Sequence, residues 1–195
     1  ELAARYETTS AKAVVTEAAG GIDVARRVER GDELEVVVLA ANVIDRLSAQ
    51  GKILAGSRVD LVKSGIGVAV RAGSPKPNVA TEEAVKRAVR SAKSVGYSTG
   101  PSGVHLEATF ARWKILDEIR PRIVVSPPGV PVASLVAKGT VELGFQQLAE
   151  LINVPGVEVV GSLPKALDLI TIFSGGIAAT CRRPDEARAL LAFLA

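Results

Sequence analysis

The stretch SVGYSTGPSGVH, residues 94–105, contains a short apolar strand, a glycine-rich turn and the start of a helix. Its first four residues, Ser94 to Tyr97, have strand character, and the helix is predicted to run from Ser102 to about Ile119. Units of strand, turn and helix follow one another along most of the chain. Because this alternation favours parallel strands covered by helices, the sequence predicts an α/β fold with mainly parallel sheets flanked by helices.

The remaining segments continue this alternation. The other predicted strands are 12–17, 36–40, 65–71, 123–125, 141–145, 157–160 and 169–173. The other predicted helices are a helical tail at 2–6, then 22–30 ended by Gly31, 42–47, 81–93, 132–138 and one opened by Pro184. The unbroken apolar run 36–40 is typical of a strand that is buried on both faces.

Glycine and proline cluster at two places, residues 73–77 and 161–164. We interpret both clusters as crossovers between two lobes. Lobe 1 is predicted to comprise residues 1–72 and 164–195, and lobe 2 residues 73–163. A lobe made from both ends of the chain, with the other lobe inserted, is a hinged clamp that could close around a ligand.

Composition excludes several classes of function. The 24 Lys and Arg residues against 21 Asp and Glu residues give a net charge of only +3, and aromatic residues make up 4% of the chain. With scattered charges and few stacking side chains, no nucleic-acid partner is expected. The single cysteine, Cys181, cannot form an intrachain disulfide, and no Cys/His metal spacing occurs. We therefore expect no metal and no cofactor, and no stretch is long and apolar enough to span a bilayer.

Three loops combine small residues with a following helix start, an arrangement that presents backbone N–H groups to an anion. They lie at residues 20–22, 98–105 and 146–147, and Asn42 is a weaker fourth candidate. The predicted ligand-binding residues are Gly20, Gly21, Ile22, Asn42, Ser98, Thr99, Gly100, Ser102, Gly103, Val104, His105, Gln146 and Gln147.

Each candidate also has a purely structural interpretation. Asp23, Ser102 and Asn42 are residues that cap helices. The glutamine pair could cap a helix near Leu148, and His105 could be a partly buried structural histidine. The sequence leaves both interpretations open.

Catalytic motifs are missing from the strand–helix junctions. The chain has no Gly-x-Ser-x-Gly elbow, no phosphate-loop lysine and no dinucleotide fingerprint at such a junction. The acid pairs Glu82–Glu83 and Asp117–Glu118 are typical of solvated helix faces. The sequence therefore predicts a protein that is not an enzyme.

Two runs, DLVKSGIGVAVRAG (60–73) and VELGFQQL (141–148), resemble bacterial substrate-binding proteins related to the molybdate-binding component of ABC importers. Shorter runs support this resemblance in chain order, at 92–98, 102–106, 154–158 and 173–179. The resemblance implies a two-lobed, type 2 periplasmic-binding fold. It also implies that a first strand with its ligand-contacting loop, and about one C-terminal helix, are absent from this chain.

The resemblance further implies roles for individual residues. The 20–22 loop matches a serine-rich loop of the molybdate binders, and the Ser102–Gly103 turn matches a second loop that donates amides. Gln147 falls near a tyrosine of that family. Since Gly20 and Gly21 supply no hydroxyl and Asp23 is acidic, a small organic acid rivals molybdate as the ligand.

These observations predict a periplasmic receptor that captures a small anion, such as molybdate, tungstate or a di- or tricarboxylate. Its further partner would be the membrane permease of an ABC importer, and the receptor would be a monomer. Two alternatives stay open. One is the effector-sensing domain of a transcription regulator, and the other is an enzyme built on the same lobes, such as a dehydratase.

Overall fold

The structure, a computed structural model, describes residues 2–127 and 129–195. Residues 1 and 128, which fall in predicted lobes 1 and 2, lie outside the described residues. The helices are α1 (Leu2–Ser10), α2 (Gly21–Arg30), α3 (Ala41–Ala49), α4 (Glu82–Ser91), α5 (Pro101–Arg112), α6 (Leu116–Ile119), α7 (Val132–Ala137), α8 (Leu148–Leu151) and α9 (Pro184–Leu194), with a 3-10 turn at Arg120–Arg122. The strands are β1 (Val36–Ala40), β2 (Val59–Ser64), β3 (Ile66–Arg71), β4 (Val95–Ser98), β5 (Ile123–Ser126), β6 (Leu143–Gln147), β7 (Val157–Ser162) and β8 (Thr171–Ile177).

The chain divides into two compact units. Unit 1 contains the chain up to Lys63 and from Ile172 to Ala195, and unit 2 contains Ser64–Thr171. These divisions fall in or next to β2 and β8, whereas the sequence prediction placed its lobe boundaries at 72/73 and 163/164. The predicted lobes of the whole protein stay a prediction. None of the helices in the described part of the chain is long and apolar enough to cross a bilayer.

Unit 1 is built on a three-stranded sheet in the order β1-β8-β2. Strands β1 and β8 are antiparallel, with Val36 opposite Ile177 and Ala40 opposite Phe173. The core on one face joins β1 to α2 and α3 through Ala25, Val28, Val37, Leu39, Ile44 and Leu47. The prediction that residues 36–40 are buried on both faces is wrong, because Val37 and Leu39 are buried on one face whereas Val38 on the other is 46% exposed.

Unit 2 is built on a five-stranded sheet in the order β5-β4-β6-β3-β7. Strand β4 runs parallel to β5 and β6, and β3 runs antiparallel to β6 and β7. The predicted α/β fold is confirmed, but the expectation of mainly parallel sheets is wrong, because β3 runs antiparallel to both of its neighbours and β1 runs antiparallel to β8. Phe110 of α5 packs on Phe145 of β6 in the main core, with ring centroids 6.3 Å apart.

The sequence predicts helix ends correctly where it contains a residue that typically begins or ends a helix. Thr81 accepts a hydrogen bond from the Ala84 N–H at 3.2 Å and begins α4. Gly31 adopts a left-handed conformation, φ +83°, that ends α2. Pro184 is the first residue of α9, as predicted.

Two element predictions are wrong. Residues 12–17 form no strand: no described strand pairs with them, Val15 is 92% exposed, and the Val14 N–H donates to Glu7 Oε1 at 2.7 Å. The single helix predicted from Ser102 to Ile119 is two helices, because Lys114 adopts φ +58°. That break lets Ile115 enter the core, where it is 3% exposed.

Candidate functional site

The carboxyl ends of three parallel strands meet at one edge of the unit 2 sheet. Ser98 pairs with Ser126 at the ends of β4 and β5, and Gly96 pairs with Gly144 of β6. Strand β6 ends at Gln147, which lies opposite Ile66, the first residue of antiparallel β3. We call this region, defined by Ser98, Ser126, Gln146 and Gln147, the carboxyl edge. Open α/β sheets bind ligands at edges of this kind.

The loop after β4 connects this edge to the first residue of α5. Gly100 is the N-cap residue and Pro101 opens the helix, so the interpretation of Ser102 as the N-cap is wrong. The helix begins at Pro101 because the fixed φ of proline suits the first helical position. The Gly100 N–H donates to Ser98 Oγ at 3.3 Å, and the predicted Thr99 lies between these two residues.

Helix α5 lies very close to the end of β4. A Cβ atom at Gly103 would lie 1.6 Å from the Ser98 carbonyl oxygen, so only glycine fits there. The neighbouring Ser102 is 3% exposed, whereas Val104 is 65% exposed. Three of the predicted residues therefore begin α5 at the carboxyl edge, and their contact with a ligand stays a prediction.

His105 has a structural contact. Its Nε2 atom lies 2.8 Å from the Leu167 carbonyl oxygen, which ties α5 to the segment before β8. Because a carbonyl only accepts hydrogen bonds, Nε2 is the donor in this contact. This contact agrees with the structural interpretation of His105.

Gln146 is held by two hydrogen bonds. Its Oε1 accepts from the Ala133 N–H of α7 at 3.0 Å, and its Nε2 donates to a carboxylate oxygen of Glu150. The side chain is buried, 6% exposed. Burial of an amide is tolerated when its polar atoms are paired in this way.

Gln147 is paired on one side only. Its Nε2 donates to Thr171 Oγ1 at 2.9 Å, and its buried Oε1 has no partner among the described residues. Gln147 occupies the N-cap position of α8, but its side chain makes no capping bond, so the capping interpretation is wrong for this residue. An unpaired buried acceptor costs about 1–3 kcal/mol, which is a reason to expect a partner for it.

Glu150 joins the candidate site through its hydrogen bond with Gln146, and the sequence analysis missed it. Although the residue as a whole is exposed, neighbouring protein atoms partly desolvate its carboxyl group, and this raises its pKa. The hydrogen bond from Gln146 acts in the opposite direction and lowers that pKa. No helical spacing signals this pair, because Gln146 lies in β6 and Glu150 in α8.

The other predicted residues belong to unit 1. Gly20 is the N-cap of α2, and a Cβ at Gly21 would lie 3.7 Å from Leu39 near the end of β1. Ile22 is 51% exposed in the first turn. Asn42 follows the true N-cap position, Ala40, by two residues, so its interpretation as a cap is wrong. Ligand contacts for this group also stay predictions.

A family model described as bacterial extracellular solute-binding protein matches residues 1–195. The chain is also similar to a Pseudomonas sp. protein named aconitate isomerase, with 39% identity over 169 residues, 87% of this chain. The chain spans 64% of that relative's length. The sequence-based expectation that this protein is not an enzyme is therefore corrected, because a relative this similar carries the name of an enzyme.

Solved structures establish the fold. The Azotobacter vinelandii periplasmic molybdate-binding protein matches with a TM-score of 0.81 at 21% identity, over 99% of this chain and 85% of that one. The substrate-binding domain of a putative molybdenum ABC transporter from Clostridium difficile matches with a TM-score of 0.68 at 14% identity, over 99% and 84%. The predicted type 2 periplasmic-binding fold is confirmed, and the chain belongs to the family of bacterial extracellular solute-binding proteins.

Proposed function

We propose that this protein binds a small polycarboxylate of the aconitate class and interconverts its isomers. The observation that carries the proposal is the 39% identity to the Pseudomonas sp. aconitate isomerase. The carboxyl edge is a structural argument for it, because the buried Gln147 amide there has an oxygen with no hydrogen-bond partner among the described residues.

The chemistry of the edge suits a carboxylate. Thr171 can either accept from or donate to the Gln147 amide, since a hydroxyl does both. When Thr171 donates to Oε1, the Nε2 of Gln147 is released to donate to an anion. A flip of one amide thereby converts the unpaired acceptor into a donor for a ligand carboxylate.

The proposed reaction moves a proton within the substrate. Aconitate carries a methylene group next to its double bond, and loss of a methylene proton leaves an anion that is delocalised over the allylic carbons and carboxylates. Return of the proton regenerates aconitate with either double-bond geometry. Donors that bind the carboxylates stabilise this anion, because its charge spreads onto the same oxygens.

A second candidate is a receptor without turnover. Membership in the extracellular solute-binding family favours it. In that role the protein would capture a small anion in the periplasm and deliver it to the permease of an ABC importer. Molybdate, tungstate and small organic acids are the ligands to compare.

Isothermal titration calorimetry separates the ligand classes. The whole protein is titrated with cis-aconitate, trans-aconitate, the saturated analogue tricarballylate, molybdate and sulfate. We expect the tricarboxylates to bind and the two oxyanions to give no heat. Binding of molybdate without binding of any tricarboxylate would contradict the proposal and support the receptor for oxyanions.

The Gln147→Ala variant tests the carboxyl edge in the same titration. Loss of one charge-assisted hydrogen bond is expected to weaken aconitate binding about 10–100-fold. Gln50→Ala is the matched control, because Gln50 is an exposed glutamine at the end of α3 in unit 1. Unchanged affinity in Gln147→Ala would contradict this placement of the site.

A further inference from the structure

Gln146 and Glu150 form a fixed pair at the carboxyl edge. Gln146 lies in β6 and Glu150 in α8, four positions further along the chain. The buried Gln146 side chain contacts the backbone of α7 on one side and the Glu150 carboxyl group on the other. The pair therefore joins a buried amide to the carboxyl group of an exposed residue.

The orientation of the Gln146 amide is determined by its partners. The backbone N–H of Ala133 can only donate, so Oε1 must face it, at 3.0 Å. The NH2 group must then face Glu150. This differs from Gln147, whose partner Thr171 is a hydroxyl that accepts either orientation. The Gln146 amide is thus a rigid donor that holds one carboxylate oxygen in place.

Glu150 carries no charge partner among residues 2–127 and 129–195. Gln146 is its hydrogen-bond partner, whereas Glu158 and Glu186, for example, form ion pairs with Lys76 and Lys12. Helix α8 packs against β3, β6 and β7. The charged residues on those strands are Arg71 and Glu158, and neither contributes to the pKa of Glu150.

We infer that Glu150 removes and returns the proton in the proposed isomerisation, and that Gln146 is the residue that positions it. This inference rests on the proposed function. The Glu150 carboxyl group belongs to an exposed residue, forms no ion pair with the described residues and is held at one oxygen, so its other oxygen is available for proton transfer. Its raised pKa brings it closer to the range in which a general base also acts as an acid.

The proposed step balances without any co-reactant. A carboxylate oxygen of Glu150 takes a proton from the methylene carbon, so that the C–H bond breaks and an O–H bond forms. The released electron pair spreads over the allylic carbons and the adjoining carboxylates. The same O–H group then returns the proton to either end of the allylic system, and the double bond re-forms.

Glu150→Gln tests the proton transfer. The whole protein is incubated with cis-aconitate in D2O, and proton NMR follows both trans-aconitate formation and deuterium uptake. We expect kcat to fall about 10²–10⁴-fold, the range for loss of a general base, with KM nearly unchanged and deuterium uptake lost. Glu83→Gln is the control, because Glu83 is exposed on α4.

Gln146→Leu tests the positioning role by its pH profile. Removing the hydrogen bond that lowers the pKa of Glu150 is expected to raise the pKa seen on the acid side of the kcat profile. Carbon-13 NMR of the Glu150 carboxyl group measures the same shift without turnover. An unchanged pKa in both measurements would overturn the role of Gln146.

The outcomes separate the inference from the proposed function. If the unmodified protein converts aconitate and Glu150→Gln converts it equally fast, the inference fails and the proposed function stands. If the unmodified protein converts no aconitate, the proposed function fails and the inference fails with it.

Discussion

The carboxylate of Asp168 accepts a 2.7 Å hydrogen bond from the backbone N–H of Ile66, the first residue of β3. A Cβ atom at the preceding Gly65 would lie 2.3 Å from Asp168 Oδ2. Asp168 thus packs on a glycine and satisfies a backbone donor of a residue that is fully buried. This contact ties the start of β3 to the segment between β7 and β8.

Asp168→Ala is expected to destabilise the protein. The change leaves the Ile66 N–H without its partner, which costs about 1–3 kcal/mol for a buried donor. Thermal or urea unfolding measures the loss. Asp117→Ala is the matched control, because the Asp117 side chain is 96% exposed. Equal stability of the two variants would contradict the structural role of Asp168.

Gly103→Ala is expected to be more disruptive than an ordinary glycine substitution. The new Cβ would overlap the Ser98 carbonyl oxygen, so α5 must move away from β4, at a cost of about 1–3 kcal/mol or more. Gly161→Ala is the control, because a Cβ atom at Gly161 would have no neighbouring atom closer than 3.5 Å. Gly73→Ala is not used, because Gly73 has a positive φ that would strain an alanine. A Gly103→Ala variant as stable as Gly161→Ala would refute the close contact.

Thr171→Val is expected to weaken ligand binding while the fold is kept. The change removes the hydroxyl that pairs with the Gln147 amide, so the amide loses its fixed position. Loss of one hydrogen bond corresponds to about a 2–10-fold decrease in aconitate affinity. Calorimetry measures the affinity, and Thr140→Val is the control within the same unit, because Thr140 is exposed. A full-affinity Thr171→Val variant would count against the pairing.

Stability should depend on pH through Glu150. Because desolvation raises its pKa in the folded state, protonation favours folding. The carboxyl group therefore opposes folding above its folded-state pKa, and this penalty disappears as the pH falls below its unfolded-state pKa. Glu150→Gln should raise Tm relative to the unmodified protein near pH 7.5, with the gain vanishing near pH 4. A Tm difference independent of pH would contradict the raised pKa.

Sequence patterns predicted the parts of the fold that depend on local signals. The caps at Thr81 and Gly31 and the proline at 184 mark helix ends through neighbouring residues alone. Residues 12–17 have the same apolar pattern as a strand, but a strand requires a partner that only the assembled sheet reveals. For the same reason the sheet directions could not be predicted from periodicity.

The loops of the candidate site could be predicted from the sequence, but its side-chain hydrogen bonds could not. Small residues before α5 and the paired glutamines after an apolar run drew attention to the carboxyl edge. Glu150 was missed because its hydrogen bond depends on the orientation of the Gln146 amide. That orientation is imposed by Ala133, which folding brings in from α7.

The central claim is that the protein interconverts isomers of aconitate, and a proton NMR time course tests it most directly. The whole protein is mixed with pure cis-aconitate in D2O at neutral pH, with heat-inactivated protein as the control. We predict trans-aconitate that grows in proportion to protein concentration and carries solvent deuterium. Stable cis-aconitate whose signals show binding without conversion would contradict the claim and identify the protein as a receptor.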